Sequence, residues 1–373
     1  FAAAMGAGAR ALVLLCALAA CLASPATGWI PGIFSDTGKH TIGKKQKVQS
    51  VGIFHRFRKP PWGGGNQFLM ALAKDIRSRG IKVVETAKPS DPTISVYMAN
   101  AITFKTKDFR EAVKKMKGKK FLLVHRLDGP YYSARFEHDP RTEKHLPYRA
   151  KEDNEVFDIN KNFACATIFQ SKWSMDMNVM LGYQPKDPTR IIPNAVDESI
   201  FHSHGRVEWE PEQRKVRLMS SSWSDGERKG FKEFAWMDQN LDFSKFEYTF
   251  MGRVPPKYSY RNIKVRPPST SEELAPVLRS HDIYVAASHL EPCSNALLEA
   301  LSSGMPTLYQ KGSGHDELVK GGGLGYDSPE EIPGLLDEMV RNYAVYQNRI
   351  KVMTIAEVTD RYLEVFEYCL NTA

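Results

Sequence analysis

Two glutamates, Glu291 and Glu299, stand eight positions apart in the string Ser288-His289-Leu290-Glu291-Pro292-Cys293-Ser294-Asn295-Ala296-Leu297-Leu298-Glu299-Ala300-Leu301. The apolar run over 283–287 reads as a strand and 294–302 as a helix, so the pair brackets a strand-to-helix junction. Cys293, Ser294, Asn295 and Ala296 open that helix. Its first N–H groups have no intrahelical partners, and with the helix dipole they make a seat for an anion. Glu299, just over one turn inside, can accept hydrogen bonds from a ribose diol, as acidic residues do in dinucleotide folds. The plainer alternative is an acidic cap at Glu291 and a solvated helix glutamate at 299.

A second cluster is Ser220-Ser221-Ser222-Trp223-Ser224-Asp225-Gly226-Glu227-Arg228-Lys229-Gly230, again between a strand and a helix. Lys229, with Arg228 beside it, offers fixed positive charge to a departing diphosphate, a large catalytic term in a water-poor cleft. A solvated basic pair at a helix start is the bland reading. Gly63-Gly64-Gly65 lies between the first strand and first helix, where missing Cβ atoms let backbone approach a ligand. His125-Arg126-Leu127-Asp128-Gly129-Pro130 follows a buried strand and offers a ring and a carboxylate from the facing half, or a loop histidine and a turn-capping aspartate. Gly252 ends a strand and Arg253 starts the loop to which base recognition would fall. No Asp-x-Asp occurs in the chain, so neither a metal–diphosphate site nor any cofactor is expected.

The elements around these residues alternate between β and α signals. Strands read at 48–54, 81–85, 94–98, 121–124 and 166–169. The first helix, 66–79, carries Phe68, Leu69, Leu72 and Ile76 on one face, with Gly80 at its end. The alternation restarts after Ile191-Ile192-Pro193-Asn194, with strands at 216–219, 248–251, 283–287 and 307–309. Two such series predict an α/β chain of two Rossmann-like, doubly wound parallel-sheet domains, 48–190 and 191–353. Ligands of such sheets sit at the carboxyl ends of the strands, which selects the loops 55–66, 125–135, 220–230, 252–262 and 288–295. A last amphipathic helix, 354–370, shows Ile355, Val358, Tyr362, Val365 and Phe366 on one face.

The Glu291–Glu299 string resembles the Glu-x7-Glu motif of retaining GT-B glycosyltransferases of family four. Gly63-Gly64-Gly65, Pro193-Asn194-Ala195-Val196-Asp197, Lys229-Gly230, Gly304-Met305-Pro306 and Gly314-His315-Asp316-Glu317-Leu318-Val319 also fit. The resemblance spans about 48–370. It implies that Glu291 contacts the donor sugar and Glu299 the ribose, with amides near Ser294 and Asn295 meeting sugar hydroxyls and phosphate. Gly64 and Gly65 would face the donor phosphates, and His125 the donor sugar. Asp128 would orient or deprotonate the acceptor hydroxyl, and the helix 354–370 would pack back on the first domain. Many family members carry an arginine a few residues before the lysine. Here Trp223 or Ser224 stands there, and Arg228 is the candidate substitute. The implied reaction moves a sugar from a UDP- or GDP-sugar to a hydroxyl of a glycan or glycoconjugate, with retention. A same-fold sugar-nucleotide epimerase and a non-catalytic sugar- or nucleotide-binding protein are the competing readings.

The 373 residues are 42% hydrophobic and 25% charged, enough core for two domains. The formal charge of +8 suits an anionic partner, but no nucleic-acid-binding pattern is present and none is expected to bind. The basic stretch from Lys107 to Lys120 is of the kind that docks on anionic lipid headgroups, or is simply solvated. Arg10, the apolar run 11–23 and Ser24-Pro25-Ala26 read as a signal peptide or signal anchor over 1–28, with a linker at 29–47. That predicts the secretory pathway: endoplasmic reticulum or Golgi lumen, or secretion. A non-functional leader would leave the chain cytoplasmic. Beyond the leader, Cys165, Cys293 and Cys369 show neither a disulfide framework nor a zinc spacing.

Overall fold

Strands buried on both faces need covering layers on both sides, which parallel sheets with crossover helices provide. The computed structural model describes residues 45–59, 63–86, 91–100, 105–116, 118–131, 146–210 and 213–372. The leader and Pro60-Pro61-Trp62 lie outside them. Six strands form the first sheet: β1 (Ser50–Phe54), β2 (Lys82–Thr86), β3 (Val96–Asn100), β4 (Leu123–Leu127), β5 (Ala164–Phe169) and β6 (Thr189–Ile191). They run parallel in the order β2-β1-β3-β4-β5-β6. Helices α1 (Gly64–Ser78), α2 (Thr106–Lys115), α3 (Leu146–Phe163) and α4 (Lys172–Met180) connect them.

The second sheet comprises β7 (Val216–Ser222), β8 (Phe246–Gly252), β9 (Ile263–Arg266), β10 (Ile283–Ala286), β11 (Thr307–Gln310) and β12 (Gly323–Tyr326). It is also parallel, in the order β12-β11-β10-β7-β8-β9. Its helices are α5 (Phe231–Asn240), α6 (Ser271–Arg279), α7 (Asn295–Ser302), α8 (His315–Val319), α9 (Ile332–Arg341) and α10 (Tyr343–Asn348). The strand order reverses between β7 and β10, the topological switch point where such sheets take ligands.

The last helix, α11 (Ile355–Thr372), covers the first sheet. Its Val358, Tyr362, Val365 and Phe366 share one core with Val51, Ile53, Phe68, Leu72 and Ile76. Arg79 bonds Asp360, and its other Nη donates to the Ala356 carbonyl at 2.8 Å. A disulfide joins Cys165 of β5 to Cys369 of α11 across 204 positions, with Cα atoms 5.8 Å apart. Cysteine spacing gave no hint of this bond, because the pair meets only once α11 returns to the first sheet. Cys293 is buried and free.

One strand differs from its sequence reading in a way that matters. β4 runs Leu123–Leu127, so His125 and Arg126 lie inside the strand rather than in the loop after it. The polar residues His125 and Arg126 hid three further strand positions, 125 to 127, since charge inside a buried strand mimics a strand end.

Candidate active site

The loops leaving β7 and β10 meet at the switch point of the second sheet. After β7 the chain makes a single 3-10 turn, Glu227–Lys229, closed by Gly230 at a φ of 85°. A Cβ on Gly230 would lie 2.3 Å from the Ala287 carbonyl oxygen, so only glycine lets this turn seat against the exit of β10. Seated there, Lys229 places its Nζ 2.6 Å from Oε2 of Glu291. The loop holding Glu291 passes through Leu290 at a φ of 50°, a region non-glycine residues rarely adopt, and is anchored by the Gly314 N–H on the Glu291 carbonyl at 2.9 Å. Ser294 then caps α7 by accepting from the Leu297 N–H at 3.3 Å.

The environments of the two glutamates push them apart. Burial works to raise Glu291, but the ion pair and hydrogen bond from Lys229, with His315 and Arg228 adding positive potential, hold it below the usual carboxylate range. Glu299 has no such partner, and burial pushes it up to about 8. Among the described residues no donor bonds its carboxyl, although it lines the cleft. An ionised carboxylate there needs donors from a ligand. The Cys293 thiol is pushed by burial to about 12 and is therefore inert.

The cleft has a volume of about 640 Å³ and is walled by both halves of the chain. From the second sheet it is lined by Arg228, Lys229, Gly252, Glu291, Cys293, Ser294, Asn295, Ala296 and Glu299. The first half contributes Gly64, Gly65 and Asp128. Gly64 begins α1 against Asn295: a Cβ on it would stand 2.3 Å from the Asn295 Nδ2. Asp128 is held by the Asn100 Nδ2 at 2.9 Å and by the Tyr131 hydroxyl.

Two expected residues stand elsewhere. His125 is wholly buried in β4 and is not among the residues lining the cleft; burial lowers its pKa to about 3, and neither ring nitrogen has a partner. Side chains alternate across a strand, so with His125 inside β4 it is Arg126, not His125, that lines the cleft. Arg253 stacks its guanidinium 4.6 Å over the Trp223 ring, and it is Trp223 that lines the cleft. The sequence reading also assigned no role to Arg126, Gln170, Asn194 or Glu317. Gln170 and Asn194 line the cleft. Glu317 of α8 accepts the first two amides of α4, from Lys172 at 2.8 Å and Trp173 at 2.7 Å, and so ties the second half to the first. A charged residue in a buried strand was the available signal for Arg126; Asn194 and Glu317 stood in quoted motifs without a chemical assignment.

The fold is GT-B, the two-sheet architecture of a large class of glycosyltransferases. Residues 227–342 match the family described as Glycosyl transferases group 1, the segment that holds Lys229, Glu291 and Glu299. Solved structures with the same fold include sucrose-phosphate synthase from Thermosynechococcus elongatus, 12% identical with a TM-score of 0.61 over 86% of this chain and 96% of that one. The Anabaena protein HepE in complex with UDP-glucose is 13% identical, with a TM-score of 0.56 over 87% and 97%. The catalytic domain of starch synthase IV from Arabidopsis thaliana, bound to ADP and acarbose, is 9% identical with a TM-score of 0.60 over 87% and 100%. No curated protein matches the chain by sequence.

Proposed function

We propose that this protein is a retaining glycosyltransferase that moves a sugar from a UDP- or GDP-sugar to a hydroxyl of a glycan or glycoconjugate. The observation that carries the reading is the 2.6 Å Lys229–Glu291 pair at the sheet's switch point, with the start of α7 and an unpartnered Glu299 in the same cleft. Ribose hydroxyls donate to Glu299, and the helix start and Lys229 meet the diphosphate. The bond from the anomeric carbon to the phosphate oxygen breaks, with its electrons leaving on the diphosphate. Lys229 and Arg228 stabilise that charge, and Glu291 holds the sugar and keeps Lys229 in place. The acceptor oxygen attacks from the same face, oriented by Asp128, and its proton passes to the departing phosphate oxygen. No metal enters this scheme, because fixed cations do the work of one.

The acceptor side has its own support. On α2, Phe109 and Ala112 are buried while Lys107, Arg110, Lys114 and Lys115 are exposed, a basic face suited to the headgroups of an anionic membrane surface. The Cys165–Cys369 disulfide supports an oxidising compartment, in keeping with a secretory leader. No helix among the described residues is long and apolar enough to cross a membrane.

The test is ligand-dependent stability of the protein lacking residues 1–28, against UDP, GDP, ADP and their sugars. A nucleotide at 100 times its dissociation constant should add about 2.7 kcal/mol, and Glu299→Ala should abolish the gain. Wild-type stability unmoved by every nucleotide, in a folded protein, would remove the donor site from this cleft.

A further inference from the structure

Arg126 is the largest fully buried side chain among the described residues. A guanidinium out of water is costly unless fully paired. This one is not: its nearest carboxylate, Asp128, is 4.0 Å from Nη1, and its Nε–H has no partner. Its face rests 4.8 Å from the Phe68 ring centroid. A leucine or methionine would fill the space without that penalty, so stability alone does not account for an arginine here.

Its two Nη atoms bond to two different asparagines. Nη1 donates to Asn100 Oδ1, and the same amide donates through Nδ2 to Asp128 at 2.9 Å. Nη2 donates to Asn194 Oδ1 at 2.6 Å. Asn194, where the chain passes between the sheets, donates through Nδ2 to Asn295 Oδ1 at 2.8 Å, and its N–H points to Cys293 Sγ at 3.4 Å. One unbroken line of bonds thus runs from Asp128 in the first half to the start of α7 in the second. The joints on either side of the guanidinium, Asn100 and Asn194, are amides that accept from Arg126 and donate onward, which fixes their orientation.

We propose that Arg126 is a positioning residue: it sets the acceptor-side carboxylate Asp128 in register with the donor-side helix start at Asn295, acting through Asn100 and Asn194. The proposal rests on the glycosyl-transfer reading for its catalytic consequence. Its mechanical content, that Arg126 holds Asn295 across the interface, is independent of it. A lysine keeps the charge but has no planar fork to serve both asparagines at once.

The test compares wild type, Arg126→Lys, Asn194→Ala and the double variant. Transfer rate, nucleoside-diphosphate affinity and amide hydrogen exchange are read in each. In Arg126→Lys the transfer rate should fall on the order of 100-fold, the loss typical of about 1 Å misplacement. Diphosphate affinity should fall by much less than the transfer rate, because Lys229 and Glu291 are untouched while the loosened helix start is only one of the groups that meet the diphosphate. Exchange should quicken in the peptide over 293–301, across the interface from the substitution. The double variant should be no worse than the worse single one, since both cut the same line. Wild-type exchange over 293–301 in Arg126→Lys, a change confined to 123–131, or additive losses would overturn the proposal. Should Arg126→Lys not fold, Asn194→Ala decides: faster exchange over 293–301 is expected, and an unchanged peptide refutes it. A wild type without transferase activity would sink the functional reading, while the exchange data would still judge this one.

Discussion

Glu299→Gln separates what this carboxyl does for binding from what it does to the fold. Glu299 ordinarily titrates at 4.5, and burial raises it to about 8. The folded protein therefore keeps the proton over a range where the unfolded chain has lost it. Stability is fully present below pH 4.5 and falls as pH rises towards 8, by about 1.4 kcal/mol per pH unit. Across the interval the loss is about 5 kcal/mol, a large share of a typical domain's total. Glutamine keeps the shape and neither titrates nor gains a charge. The two proteins should match in urea unfolding at pH 4.5. The variant should then become progressively more stable than wild type up to pH 8, while binding no nucleotide. All other titrating groups are common to both proteins and cancel in the difference. Parallel pH profiles would mean that Glu299 ionises as freely in the fold as in water, and the account of a dry carboxyl awaiting a ribose would be wrong.

Lys229→Met should reduce turnover by about 10²–10³-fold, the usual loss on removing one fixed charge from a transition state, measured as initial rates at saturating donor. Gly64→Ala sets a Cβ 2.3 Å from the Asn295 Nδ2 and 2.7 Å from its Cβ, so Asn295 must shift; calorimetry should show weakened donor binding, and unchanged binding would refute the close approach. Cys165→Ser opens a loop of 204 positions, which at the chain-entropy limit removes about 5 kcal/mol. Urea unfolding of oxidised, reduced and variant protein should show the reduced wild type matching the variant, with nucleotide affinity preserved in both.

The alternation of strong apolar strands with amphipathic helices made both sheets legible, because period and burial are written in the same residues. Elements with weak signals escaped. β12 is Gly323-Leu324-Gly325-Tyr326, too rich in glycine to read as a strand, and β9 is a four-residue segment with three exposed positions. Helix α3 is largely polar, with burial at Asp153, Val156, Ile159 and Asn160 that no apolar stripe announces. At the site, Lys229, Glu291 and Glu299 were legible because a strand-to-helix junction fixes where its residues point. His125 was misplaced because a strand boundary moved, and the side-chain alternation moved with it. The disulfide and the Arg126–Asn194–Asn295 line join residues far apart in sequence, and nothing in local spacing encodes such a meeting.

Group transfer adds the mass of a sugar residue to an acceptor, and mass spectrometry reads it directly. The protein would be incubated with UDP-, GDP- and ADP-sugars over an array of glycans and glycoconjugates, with Lys229→Met alongside. One acceptor class should gain the mass of a sugar residue, one nucleoside diphosphate should appear in equal amount, and the variant should form both about 10²–10³-fold more slowly. A nucleotide sugar that is bound and returned unchanged, or converted to its epimer with no acceptor gaining mass, would contradict group transfer.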